Sequence, residues 1–209
     1  MAQIAQGQIN DKIRQLPPYH QLAFGAMLSE RFLPNYFAFF LVEQWGNPMV
    51  LLNGIGLLKN IASRETFDSS EIRLADELIE AVTPDMEAFP ANTLASLALD
   101  VSSMLHECFE FVSDQNPRHI ELCSEISFDT LRMYVQKRDE LPHDLPLAEL
   151  DKRLSQDKLL RSETEYQINL LNELEPRPKI SNRLYMDKTV KAPNLSFTHL
   201  PGVRRVAAV

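Results

Sequence analysis

Apolar side chains recur every three or four residues along most of residues 1–175 of this 209-residue chain, and strict alternation is hard to find. Leu94, Leu97, Ala98, Val101, Leu105, Cys108 and Val112 form one such stripe, the pattern of a helix that buries a single face. The spacing predicts helices over about 3–15, 18–32, 35–45, 48–62, 69–82, 90–113, 117–140 and 147–175. Proline supplies much of the punctuation. Asn47-Pro48, Thr83-Pro84, Phe89-Pro90 and Asn116-Pro117 each read as a helix start, because proline at the first helical position gives up an N–H that has no partner there. Asp68, three residues before Glu71, is a start without proline. Pro34 falls inside a continuous pattern from Pro18 to Trp45, where it removes a backbone hydrogen bond and crowds the preceding turn, so a kink or break is expected there.

The fold class that follows is all-α, a single domain of about seven to eight mostly antiparallel helices over residues 1–175. From residue 176 the stripe ends. Pro176, Pro178, Pro193 and Pro201 interrupt the chain, and the charge changes sign: residues 1–175 carry 14 Lys+Arg against 28 Asp+Glu, whereas residues 176–209 carry 7 against Asp187 alone. The reading is a helical domain, 1–175, followed by an extended basic C-terminal arm, 176–209. Acidic helix faces would attract such an arm, with Tyr185, Leu195, Phe197 and Leu200 as its apolar anchors.

Composition adds few exclusions. At 44% hydrophobic and 24% charged, with a net charge of −8 and two cysteines, the chain can bury a core without disulfides or a structural metal. No uncharged apolar run reaches the roughly 18 to 20 residues of a spanning helix, so no membrane association is expected. The first residues, MAQIAQGQINDKIRQL, lack the apolar segment of an export signal, which with the low cysteine count points to the cytoplasm. Nucleic acid is set aside as a partner: the acidic body repels it, and Arg177, Lys179, Arg183, Lys188, Lys191, Arg204 and Arg205 are widely spaced.

The segment LPPYHQLAFGAMLSERFLPNYFAFF, residues 16–40, with Glu30-Arg31 and Pro34-Asn35-Tyr36 at its centre, resembles the YjaG-like bacterial family, domain of unknown function 416. The hydroxyl spacing Ser124, Ser127, Thr130 and the segment ETEYQINLLNEL, residues 163–174, extend the resemblance over roughly residues 16–175. It implies an all-helical cytosolic fold and brings no established activity, cofactor or catalytic residue. The Pro-rich basic stretch after Leu174 departs from the charged helical C-terminus that the resemblance implies.

Several constellations invite chemistry. If 90–113 and 117–140 form a hairpin, His106 falls level with Cys123 and Glu110 level with His119, but the wheel puts the two pairs on different faces, so neither metal nor other cofactor is expected. Cys108 and Cys123 come level on core faces and read as neighbouring free thiols. There is no nucleophile elbow, and Asn53-Gly54-Ile55-Gly56 is too short for a phosphate loop. Glu30, Arg31, Asn35 and Tyr36 flank Pro34, either as a helix joint or as the lining of a polar ligand-binding pocket. The aromatic run Phe32, Tyr36, Phe37, Phe39, Phe40, Trp45 surrounds its helix, which is covered by the core or by a second subunit. Cys123, Ser127 and Thr130 form a strip for close helix approach. The function that follows is a non-catalytic interaction or regulatory protein, a homodimer with room for a further protein partner. The alternative is a small-molecule-binding protein or enzyme with its pocket near Pro34.

Overall fold

The computed structural model describes residues 2–64, 68–142 and 144–175, together with Pro193 and Leu195. These residues form eight helices and no strand: α1 (Ala2–Gln15), α2 (Pro18–Glu43), α3 (Pro48–Arg64), α4 (Ser69–Ala81), α5 (Thr93–Asp114), α6 (Pro117–Arg138), α7 (Leu147–Gln156) and α8 (Lys158–Leu174). The fold is the expected all-α domain built on one hydrophobic core. Its axis is α2, buried on nearly every side from His20 to Leu33, with α3, α5, α6 and α8 packed around it.

Pro34 does not divide α2. Its missing N–H leaves the Glu30 carbonyl without a helical donor, a loss worth about 3 kcal/mol. Phe32, Tyr36 and Phe39 on either side are fully buried, at about 1.5 to 3 kcal/mol each, so tertiary packing holds the helix through the proline, whose ring faces solvent. The expected 147–175 helix is split at Asp157, whose extended backbone starts α8. Its carboxylate accepts from the Leu159 amide at 2.8 Å and from Arg138 at 2.7 Å, a cap that the continuing apolar stripe conceals. Helix α5 starts at Thr93 rather than at Pro90, because Asn92 accepts from the amides of Leu94 and Ala95.

Thr83-Pro84 starts no helix: after α4 the chain runs through turns until Asn92 caps α5. The starts at Pro48, Asp68 and Pro117 fall as expected. Asn116 caps α6 with Pro117 at its first position, and Asp68 caps α4 by accepting from Ser70. Helices α5 and α6 make the predicted hairpin, and α2 crosses it closely at Gly25, where a Cβ would lie 2.7 Å from the Cys108 sulfur and 2.9 Å from Ile120 Cδ1. No helix among the described residues is long and apolar enough to cross a membrane. The expected arm, 176–209, lies outside the described residues except at two points: Pro193 is buried, and Leu195 packs half-buried against the core.

Candidate functional site

Three stretches that sequence reading took separately meet inside the domain. On α2, Arg31 donates from Nε to Glu163 Oε2 on α8 at 2.9 Å, and its guanidinium lies 4.0 Å from the centre of the Tyr166 ring. Glu163 Oε1 accepts from Gln167, one helical turn on, at 3.0 Å. Gln167 donates to Ser127 at 2.7 Å and accepts from Ser124 at 2.6 Å, both on α6. Gln6 of α1 closes the chain by donating to Ser124 at 3.0 Å. Arg31 is 5% exposed and Glu163, Gln167, Ser124 and Ser127 are fully buried, so the network joins α2, α6 and α8 away from water, with Gln6 of α1 at its half-buried edge. Burial also pushes the Tyr166 hydroxyl up to about 12, the Arg31 charge opposing it.

The four residues around Pro34 go different ways. Glu30 Oε1 pairs with Lys59 of α3 at 2.6 Å, and its second oxygen is buried without a hydrogen-bond partner among the described residues. Arg31 engages α8, as described. Asn35 is buried, and its Nδ2 has no hydrogen-bond partner among the described residues. Tyr36 buries its ring and donates its hydroxyl to the Val82 carbonyl just beyond α4. Desolvation of that ring raises the phenol above its ordinary value. Glu30 and Arg31 thus share one charged cluster with Lys59, Glu163 and Tyr166, while Asn35 and Tyr36 lie a turn further along.

The residues weighed as metal ligands separate. Cys123 sits in the core with its sulfur 3.7 Å from that of Cys108, and both are free thiols. The Cys108 contact and burial both raise the Cys123 thiol well above its usual range. His119 bridges the hairpin turn, with Nδ1 2.7 Å from Glu107 and Nε2 3.2 Å from Asp114. Burial works to lower its pKa, but the two carboxylates outweigh it and hold the imidazole above 6.5. His106 sits in the open against Asp76 of α4 at 2.7 Å, and with Glu110 these ligand atoms lie within 4.8 Å of one another.

Between α5 and α6, Thr130 donates to Asp100 at 2.7 Å, and burial raises the Asp100 carboxyl to about 6.

Two apolar grooves among the described residues open to solvent, and neither of these is lined by Glu30, Arg31, Asn35 or Tyr36. One, about 350 Å³, lies among Tyr19, Leu22, Ile61, Phe111 and Val112. The larger, about 620 Å³, runs between α3 and α4, with Leu52, Gly56 and Asn60 on one wall and Leu74, Ala75 and Leu78 on the other. Sequence reading passed over this face. Its signal was there: Met49, Leu52, Asn53, Gly56 and Asn60 occupy the outward side of a surface helix without one charge, where charged residues are the rule.

A model of a family described as protein of unknown function (DUF416) matches residues 8–194. The match runs beyond Leu174 to Asn194, so most of the stretch expected to depart from the family lies within it. No curated protein matches the chain. Among solved structures it is similar to the crystal structure of a DUF416 family protein from Shewanella baltica OS155, with a TM-score of 0.74 and 24% identity over 85% of this chain and 89% of that one. At that identity the likeness concerns the fold.

Proposed function

The chain belongs to the DUF416 family, proteins of unknown function, and on that premise we propose that it is a non-catalytic interaction protein of the cytoplasm that works by binding other polypeptide chains, a second copy of itself among them. One observation carries the reading: Arg31, Glu163, Gln167, Ser124 and Ser127 are closed upon one another, whereas the apolar α3–α4 face stands open. Leu74 and Leu78 are 57% and 48% exposed and Met49 is 50% exposed, beside a groove of about 620 Å³. Contiguous apolar surface of this kind marks sites of association between proteins. Two cysteines in 209 residues agree with a reducing compartment. The division into a helical body, 1–175, and a basic arm, 176–209, belongs to the same proposal, with the half-buried Leu195 as the anchor that supports it.

The test is the size of the native complex. In unfractionated lysate the full chain is expected to sediment well above its 23.9 kDa mass, and Leu74→Glu combined with Leu78→Glu is expected to bring it down to the monomer. A wild-type chain that sediments as a monomer in lysate refutes the interaction reading.

A second reading keeps Glu30, Arg31, Asn35 and Tyr36 as a small-molecule site. It is supported by the buried Asn35 Nδ2 and Glu30 Oε2, two polar atoms without partners on either side of Pro34. A thermal-shift screen against a metabolite library is its test: stabilisation that Asn35→Ala removes favours it, and the absence of any stabilising compound counts against it.

A further inference from the structure

We infer that the α3–α4 groove is filled by the same groove of a second copy of this chain, related by a two-fold axis, with Leu74 and Leu78 of each copy seated over Gly56 of the other. The inference rests on the interaction reading above and names its partner.

Gly56 is the first observation. Glycine inside a helix is destabilising relative to alanine, so its presence calls for a reason. At Gly54 the reason is internal, since a Cβ there would lie 2.9 Å from Ile79 Cδ1. At Gly56 a Cβ would meet nothing within 4 Å, so this chain's own packing does not require the residue. A flat place on an exposed helix face admits close approach from outside. The protruding Leu74 and Leu78 stand on the opposite wall of the same groove. The face therefore carries both a hollow and the side chains to fill it, which is the self-complementarity an isologous contact needs.

Charge selects the partner. The molecule carries −8 overall, so two copies repel each other over most of their surface. The outward face of α3 is the exception: Lys59, half-buried, is paired with Glu30, and Met49, Leu52, Asn53, Gly56 and Asn60 are uncharged. Across the groove Glu71 is the one charged residue among the described lining, and the other acids of α4, Asp76, Glu77 and Glu80, project away from it on the helical wheel. A basic partner would find little here to recognise, whereas a like-charged copy meets little repulsion. Asn53 and Asn60 each donate and accept, so identical amides on two copies can satisfy one another.

The size fits a reversible dimer. The 17 residues of α3 span about 25 Å at 1.5 Å per residue. With α4 packed about 8 to 10 Å alongside, the face is about 20 Å wide. That footprint is about 500 Å² per copy, about 1,000 Å² in all, the size of a weak, reversible contact rather than a permanent one.

The experiment is sedimentation of the purified full-length chain, without other proteins, over concentrations to about 100 µM. The expected result is a reversible dimer at twice 23.9 kDa, weakened at least about tenfold by Gly56→Gln and by Leu74→Glu, and unchanged by Leu147→Glu on the exposed α7. Gly56→Gln should also raise the melting temperature measured at high dilution, since it improves the helix while filling the seam. A purified chain that is monomeric throughout overturns the inference, and a heavy species in lysate would then show a foreign partner and leave the interaction reading standing. A dimer indifferent to both Gly56→Gln and Leu74→Glu overturns it as well, because the copies would then meet elsewhere.

Discussion

Replacing Arg31 with methionine should be among the most damaging single substitutions in the helical body. Methionine keeps most of the aliphatic volume on α2 but removes the guanidinium that faces Glu163, whose side chain is fully buried and whose one other described donor is the neutral amide of Gln167. A buried carboxylate left in that state costs about 3 to 5 kcal/mol. Domains of this size are stable by about 5 to 15 kcal/mol, so the variant should retain the fold with its melting temperature lowered by roughly 6 to 20 °C. Converting both partners, Arg31→Met with Glu163→Leu, removes the uncompensated charge and should recover most of the loss, even though the hydrogen bond to Gln167 goes with it. The assay is urea unfolding followed by far-UV circular dichroism on wild type, both single variants and the double, with midpoints compared at constant slope. If Arg31→Met costs less than about 1 kcal/mol, or if the double variant loses the sum of the two singles, the pair does not act as a buried unit and the reasoning fails.

Further outcomes follow from other parts of the structure. Asp100→Asn should raise stability at pH 7 by on the order of 1 to 3 kcal/mol: the folded carboxyl, raised to about 6, binds protons that the unfolded one has released, so wild-type stability falls as pH rises from about 4 to 6 and levels off above. Denaturant titrations at pH 4 and 7 read the difference, and equal stability of the two proteins at both values would refute it. The stabilisation from His119 is present below pH 6.5 and lost as pH rises through its higher folded value, so His119→Gln should flatten the pH dependence above 6.5, and an unchanged profile would show that the bridge between Glu107 and Asp114 is idle. Gly25→Ala should destabilise by about 1 to 3 kcal/mol, because the new methyl group would press on Cys108 and Ile120, and a neutral result by calorimetry would mean that the crossing can relax. Cys108 and Cys123 should resist a thiol reagent at pH 8 in the folded protein and react fully in denaturant, whereas rapid modification of the native chain would place them within reach of solvent.

Much of this protein is written locally. The apolar stripes set the helical class, Asn116-Pro117 set the hairpin turn, and the matching levels of Cys108 and Cys123 about that turn placed two sulfurs that the fold brings to 3.7 Å. These follow from helical periodicity and terminal chemistry, which depend on residues a few positions apart. Pro34 marks the boundary of that legibility: its local preference is to break a helix, and Phe32, Tyr36 and Phe39 override it only because the fold buries them, Phe39 against Trp45 and Phe89 and Tyr36 bonded to the Val82 carbonyl. Asp157 shows the converse, a cap hidden within an unbroken stripe until Arg138, 19 residues away, is seen to hold it. The polar network was present in the sequence as three unconnected motifs, and nothing in their spacing says that Arg31 meets Glu163 across 132 residues. The α3–α4 groove required more still, since an uncharged helix face becomes a surface only when the fold leaves it uncovered. Local pattern determined which segments are helices and which of their faces turn inward, and tertiary packing alone decided which polar groups find one another and which apolar face remains open, because both depend on contacts between segments remote in the chain.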